Sequence, residues 1–259
     1  MGCWSRLALA GSVSLGLGCS GASATDDLGL TEGAFHEASL KPAYAIELES
    51  KVVMTYPSTR DKRYTYKTRI VGRVATKAGT KNEATLSVKP CAITLPPAGG
   101  FQPTVPDEAF ENVADFVLHA TIDDEDMKSK PVAMLLGVRG LADPLRSPLP
   151  KDEGDTRVFD QDRDGKPGFS VYVGGGRVFV GMRVVASLSG ELKRGGEIEG
   201  EADVDVDSEV YGDTILFVDV KSQVESAEKG HVVSKKNTFR MVPLPTAATC
   251  GAAIDAVGR

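Results

Sequence analysis

Phe169-Ser170-Val171-Tyr172-Val173-Gly174-Gly175-Gly176-Arg177-Val178-Phe179-Val180-Gly181-Met182-Arg183-Val184-Val185-Ala186-Ser187-Leu188 decides the fold class. Phe169, Val171 and Val173 sit at alternate places, three glycines follow, and Val178, Val180, Met182, Val184, Ala186 and Leu188 resume the alternation. A period of two puts these side chains on one face of an extended chain. Glycine takes the positive φ that a tight turn between antiparallel strands requires. The stretch therefore predicts a β-hairpin, and its alternation continues on both sides. Downstream, Ile198, Gly200, Ala202, Val204 and Val206 alternate with Glu197, Glu199, Glu201, Asp203, Asp205 and Asp207, a strand with its carboxylates on one face. Further strands fit 214–221 and 238–244.

Upstream, Tyr44, Ile46, Leu48, Val52, Met54 and Tyr56 alternate with polar residues, as do Tyr64, Tyr66, Ile70 and Val74 after the turn Pro57-Ser58-Thr59-Arg60-Asp61. This pair predicts a second hairpin. Ala84, Leu86 and Val88 lead a third strand into Pro90-Cys91, where the alternation slips by one to Ile93 and Leu95, the mark of a bulge or a strand end. Strands fit 113–122 and 132–138, separated by Asp123-Asp124-Glu125-Asp126, and a proline- and aspartate-rich loop runs over 140–167. No stretch carries helical spacing over several turns. Roughly eight to ten strands joined by hairpin turns give an all-β, antiparallel domain over 42–250, with a C-terminal tail at 251–259. The long strands at 44–56 and 178–188 favour an up-and-down barrel of the calycin kind, with a β-sandwich as the alternative.

The 259 residues carry 30 Lys and Arg against 36 Asp and Glu, a net charge of −6 that argues against nucleic acid as a partner. Arg6 and the apolar run from Leu7 to Gly18 predict a signal peptide at 1–18. Two cleavage sites compete. Leu15-Gly16-Leu17-Gly18-Cys19 resembles a bacterial lipobox, with Gly16 where leucine is usual, and Ala22-Ser23-Ala24 fits the small-residue rule of ordinary signal peptidase. Lipidation at Cys19 is the favoured expectation, because it accounts for a cysteine directly after the apolar run. Residues 19–41 are then a lipidated flexible tether, and the membrane is a partner through that lipid. Ser20 does not resemble the aspartate retention signal, which points to the outer membrane, with a periplasmic or secreted protein as alternatives. Cys91 and Cys250 remain, and an oxidising compartment predicts a disulfide between them. Two buried thiols are the other account of these cysteines.

Explicit chemistry is concentrated in Asp160-Gln161-Asp162-Arg163-Asp164-Gly165-Lys166-Pro167-Gly168. Acidic side chains at alternate places followed by glycine can curl around one hard cation, as at positions one, three, five and six of a calcium-binding EF-hand loop. The twelfth place, which should hold a bidentate glutamate, is Val171, so the loop is not an EF-hand. It is closer to the calcium loops of thrombospondin-type or dockerin-like repeats. Missing ligands are expected from the Lys166 carbonyl, water, or Asp152, Glu153 and Asp155. Calcium would bind weakly, at about 10⁻⁴ to 10⁻³ M. A solvated turn that uses Asp and Gly for backbone reasons is the plainer account. For the carboxylates at 197–207 it is a solvent face that discourages edge pairing. His36, His119 and His231 are scattered, His119 reads as an outward strand residue, and no nucleophile elbow or phosphate-binding loop appears after the signal.

The Cys19 signal, the stretch from Asp160 to Val171, Val178-Phe179-Val180-Gly181-Met182-Arg183 and the late Cys250 together resemble a group of uncharacterised exported lipoproteins of myxobacteria and related bacteria. The resemblance covers about residues 155–250 and implies no particular activity. The expectation is a lipid-anchored envelope protein, a non-enzymatic binding or structural module taking an apolar ligand or an envelope protein as partner. A metal-dependent envelope hydrolase and a calcium-dependent adhesion module are the alternatives.

Overall fold

Strand pairing carries the chain round to where it began. The computed structural model describes residues 39–56, 62–79, 82–97, 101–215, 231–232 and 237–258. Within them run β1 (Ala43–Tyr56), β2 (Lys62–Ala78), β3 (Glu83–Thr94), β4 (Phe116–Asp123), β5 (Asp126–Ser129), β6 (Val132–Leu136), β7 (Phe169–Val173), β8 (Gly176–Leu192), β9 (Ile198–Asp213), β10 (His231–Val232) and β11 (Thr238–Pro243). All belong to one antiparallel sheet, paired in the order β1, β2, β3, β4, β5, β8, β9, β11 and back to β1. Such a ring is compatible with a sandwich as well as a barrel, since bulged strands can bend from one layer into the other. The export signal, Cys19, most of the tether, His36 and the 57–61 turn lie outside the described residues.

Both predicted hairpins are present. β1 pairs β2 from Ala43 opposite Ala75 to Tyr56 opposite Lys62. β7 pairs β8 from Phe169 opposite Val180 to Val173 opposite Gly176, and Gly174 and Gly175 turn between them with φ of 57° and 86°. The alternating residues face inward as their period requires: Tyr44, Ile46, Leu86, Val88, Val180, Val184, Leu188 and Val204 share one buried cluster. Each fully buried aliphatic side chain contributes about 1.5–3 kcal/mol. Among the described residues these side chains leave little free space between them. A residual apolar cavity beside Ile46, Leu118, Met134 and Val184 has about 40 Å³, against roughly 300 Å³ or more for small-molecule sites.

Two bulges turn a side chain outward, and each becomes the seat of a cover on the outer face. On β3, Ala92 faces Val71 and Pro90 faces Gly72, leaving Cys91 as the extra residue. The slip seen at Pro90-Cys91 is therefore a bulge within the strand. The Cys91 side chain lies on the outer face of the sheet, with Ala45 and Val71, under α2 (Cys250–Val257), and is disulfide-bonded to Cys250. On β9, Gly212 faces Phe179 and Val210 faces Val180, leaving Tyr211 as the extra residue. Tyr211 packs with Val138, Leu141 and Leu149 in a separate small cluster, beneath the segment that follows β6.

Other elements depart from the periodicity. The segment expected as a tail begins with α2, capped by Thr249, whose Oγ1 accepts from the Ala252 amide at 3.3 Å. Arg69 and Arg240 each donate to the Val257 carbonyl at 3.2 Å, at the helix end where unpaired carbonyls favour cations. Eight residues are too few for a periodic signal. Asp123 to Asp126 is the turn of a hairpin, with Asp124 at φ 54°, and β5 follows it unanticipated. The strand expected at 113–122 begins at Phe116, after the short helix α1 (Glu108–Glu111), and the one expected at 132–138 ends at Leu136. β9 continues to Asp213 where a new strand was expected from 214, and 216–221 lie outside the described residues. Among the described residues no helix is long and apolar enough to cross a membrane.

Candidate metal site in an excursion from the sheet

One edge of β8 is covered by β9 along its length, and the other by three short strands end to end. β5 lies opposite 189–191, β6 opposite 182–186 and β7 opposite 176–180. The chain could have run along this edge as one strand, but between Leu136 and Phe169 it leaves and returns. Gly137 and Gly168 stand at the exit and re-entry, with φ of 69° and 84°. A Cβ on Gly137 would lie 2.5 Å from the Val180 carbonyl oxygen and 2.7 Å from Gly168 Cα. Only glycine permits both the conformation and the close approach. The neck is thus as narrow as two backbones allow.

Gln161 closes that neck. Its side chain, 1% exposed, accepts from the Gly137 amide at 2.6 Å and donates to the Ala109 carbonyl at 2.6 Å. Its own amide donates to the Gly168 carbonyl at 2.9 Å, and its carbonyl accepts from Asn112 Nδ2 at 2.9 Å. The sequence offered one signal for this role, a polar residue between aspartates at a place where no ligand was needed.

On either side of Gln161 the predicted acids converge. Among the described residues, Asp160, Asp162 and Asp164 form a group with one carboxylate oxygen from each within 4.8 Å of the others. Oxygens sharing an ion at about 2.3–2.6 Å can stand up to roughly 5 Å apart, so the three can hold a metal ion together. Asp160 accepts from the amides of Asp164 at 3.1 Å and Gly165 at 2.8 Å, and Asp164 accepts from the Lys166 amide at 2.9 Å. The first residues of β7 and β8 supply the remaining partners. The Ser170 amide donates to Asp162 Oδ2 at 2.8 Å, and Ser170 Oγ and Arg177 Nη1 each donate to Asp164 Oδ2 at 2.7 Å. Arg163 holds φ 59° as the loop winds, and its guanidinium donates to Asn112 Oδ1 at 2.8 Å.

Asp162 differs from its neighbours. Its Oδ1 is buried without a hydrogen-bond partner. Burial, aided by the charge of Asp164 and opposed by the Ser170 amide, raises its pKa above the ordinary aspartate value. A buried carboxylate oxygen without a donor carries a desolvation cost that a cation at that position would offset.

The remaining expected ligands stand elsewhere. Asp155 is bound by Arg157, with contacts of 2.9 and 2.6 Å that hold its pKa down to about 2. Asp152 accepts from the Gly154 amide at 2.8 Å, a turn contact. Glu153 lines an open cleft with Lys166, Phe179 and Asp213. None of the three joins the aspartate group. Lys166, expected to offer its carbonyl, donates its amide to Asp164, and its ammonium lies 5.8 Å from the centre of the Phe179 ring. The acidic face of β9 is largely solvated: Glu199, Glu201, Asp203 and Asp205 are exposed, while Asp207 meets Arg183 at 2.9 Å. His119 is exposed on β4, as its alternation implied. No protein-family profile, curated protein or solved structure matches the chain.

Proposed function

We propose that this is a lipid-anchored protein of the bacterial envelope, a non-enzymatic binding or structural module in which the Asp160–Ser170 loop binds calcium. The observation that carries the calcium reading is the buried, unpartnered Oδ1 of Asp162 within a group of three convergent carboxylates. All the donors are oxygens, which suits a hard cation, and an irregular shell suits calcium better than magnesium, which demands near-ideal octahedral geometry. Arg177 already neutralises part of Asp164, so calcium competes with a guanidinium. That competition favours a weak site, in the range of about 10⁻⁴ to 10⁻³ M.

In this role calcium closes the base of the excursion, joining the loop to the start of β7 through ligands that already contact Ser170. Calorimetry on chelator-treated protein is the test. Heat of binding in the millimolar range, abolished by Asp162→Asn, is expected. No heat and no thermal shift at several times 10⁻³ M calcium, well above the expected range, would discard the site. The anchor is tested separately, by detergent partitioning of the full chain and of Cys19→Ala. Equal partitioning of the two would remove the lipid.

A further inference from the structure

We infer, resting on the calcium reading above, that Gln161 is the positioning residue of the carboxylate loop. It sets the separation of Asp160 and Asp162 by locking the peptide segment between them. All four polar groups of Gln161 are engaged, and with three separate pieces of chain. Its side chain bridges the Gly137 amide at the exit of the excursion and the Ala109 carbonyl in α1. Its backbone bonds to the Gly168 carbonyl at the re-entry and to the Asn112 side chain. A residue fixed from both sides of the chain leaves its neighbours little freedom, and those neighbours carry two of the three carboxylates. Metal ligands are commonly held by such outer contacts, whose loss lowers metal affinity about 10- to 100-fold.

Gln161→Glu separates this role from simple charge. Once its buried carboxyl is ionised, the variant keeps the acceptor for Gly137, loses the donor to Ala109 and adds a negative charge beside the aspartates, so calcium is titrated at a pH where carboxyl NMR shows the introduced group ionised. Charge count alone makes calcium bind more tightly, whereas a positioning role makes it bind at least about tenfold more weakly. Asn112→Ala, which removes the side-chain bond to the Gln161 carbonyl together with the one from the Arg163 guanidinium, should weaken calcium in the same direction. Hydrogen exchange supplies a readout that needs no metal. In Gln161→Leu the Gly137 amide loses its partner and should exchange at least about tenfold faster, with the β8 and β9 amides unchanged. Calcium binding in Gln161→Glu as tight as in the unaltered protein, with Gly137 exchange unmoved in Gln161→Leu, overturns the inference. If the unaltered protein takes up no calcium, the calcium reading falls, and the exchange result alone decides whether Gln161 holds the loop.

Discussion

Two covers lie on the outer face of the same sheet, each seated on a bulge, and they are fastened by different means. α2 sits over Cys91, and a covalent bond closes a separation of 159 residues. Three arginines assist: Arg69 and Arg240 hold the Val257 carbonyl, and Arg73 the Ala248 carbonyl at 3.1 Å. The excursion sits over Tyr211 with no covalent tie, and is held by neck glycines, by Gln161 and by carboxylates that accept from β7 and β8. A short helix has little area with which to bind, so its attachment must come from outside it. A 32-residue excursion, from 137 to 168, carries its own small core and can be fixed by a polar clasp at its base.

The largest effect should follow from breaking the covalent cover. Replacing Cys91 and Cys250 together by alanine should cost about 2–5 kcal/mol in chemical denaturation, because the closed loop is long. The same variant should increase hydrogen exchange in α2 and leave the Gly137 and Gly168 amides protected. Equal loss of protection in both regions would show that the covers are not independent. Next comes the neck. Gly168→Ala meets a positive φ and the Val180 carbonyl at once, and a cost of about 2–4 kcal/mol is expected. That loss should appear as faster exchange across 138–158 before the sheet unfolds.

Tyr211 offers a change of opposite sign. Its hydroxyl is buried without a partner, and burial is the main cause raising its pKa. Tyr211→Phe removes an unsatisfied polar atom and keeps the ring, so stability should rise by up to about 1 kcal/mol. A loss of more than about 1 kcal/mol would mean that the hydroxyl is bonded in solution.

The sheet was legible in the sequence because its signal is repetitive. Residues such as Val178 to Leu188 state their inward face six times over, and a one-residue slip would turn every one of them outward. The slip at Pro90-Cys91 was legible for the same reason, but the one at Tyr211 was not, because Ser208, Glu209 and Gly212 interrupt the alternation around it. The carboxylates were found because a metal loop needs acids at fixed spacing. The role of Gln161 is not legible because three of its four partners, Gly137, Ala109 and Asn112, lie between 24 and 52 residues away and no local pattern joins them. Asp155 is one of several nearby groups that could complete the shell on proximity in sequence, whereas in the structure it is paired with Arg157, two residues on.

The smallest predicted effect separates these two acids by pH. Asp155 is held down to about 2 by Arg157, so the unfolded chain takes up its proton first as the solution is acidified. Its contribution to stability is present above the unfolded aspartate value and disappears as pH falls through about 2. Asp162 is shifted upward by burial, so in the folded protein it keeps its proton to a higher pH than in the unfolded chain. It favours folding below the unfolded value and opposes it as pH rises through the folded one. On the proposed calcium reading, binding requires the ionised form, so it should weaken on acidification from a pH above the ordinary aspartate range, and calcium should lower the pKa of Asp162 while leaving Asp155 unmoved. Carboxyl NMR titration with and without calcium reads both groups in one experiment. An affinity that stays level down to about pH 4 would take Asp162 out of the ligand set, leaving the base of the excursion fastened by its hydrogen bonds and the Arg177–Asp164 ion pair.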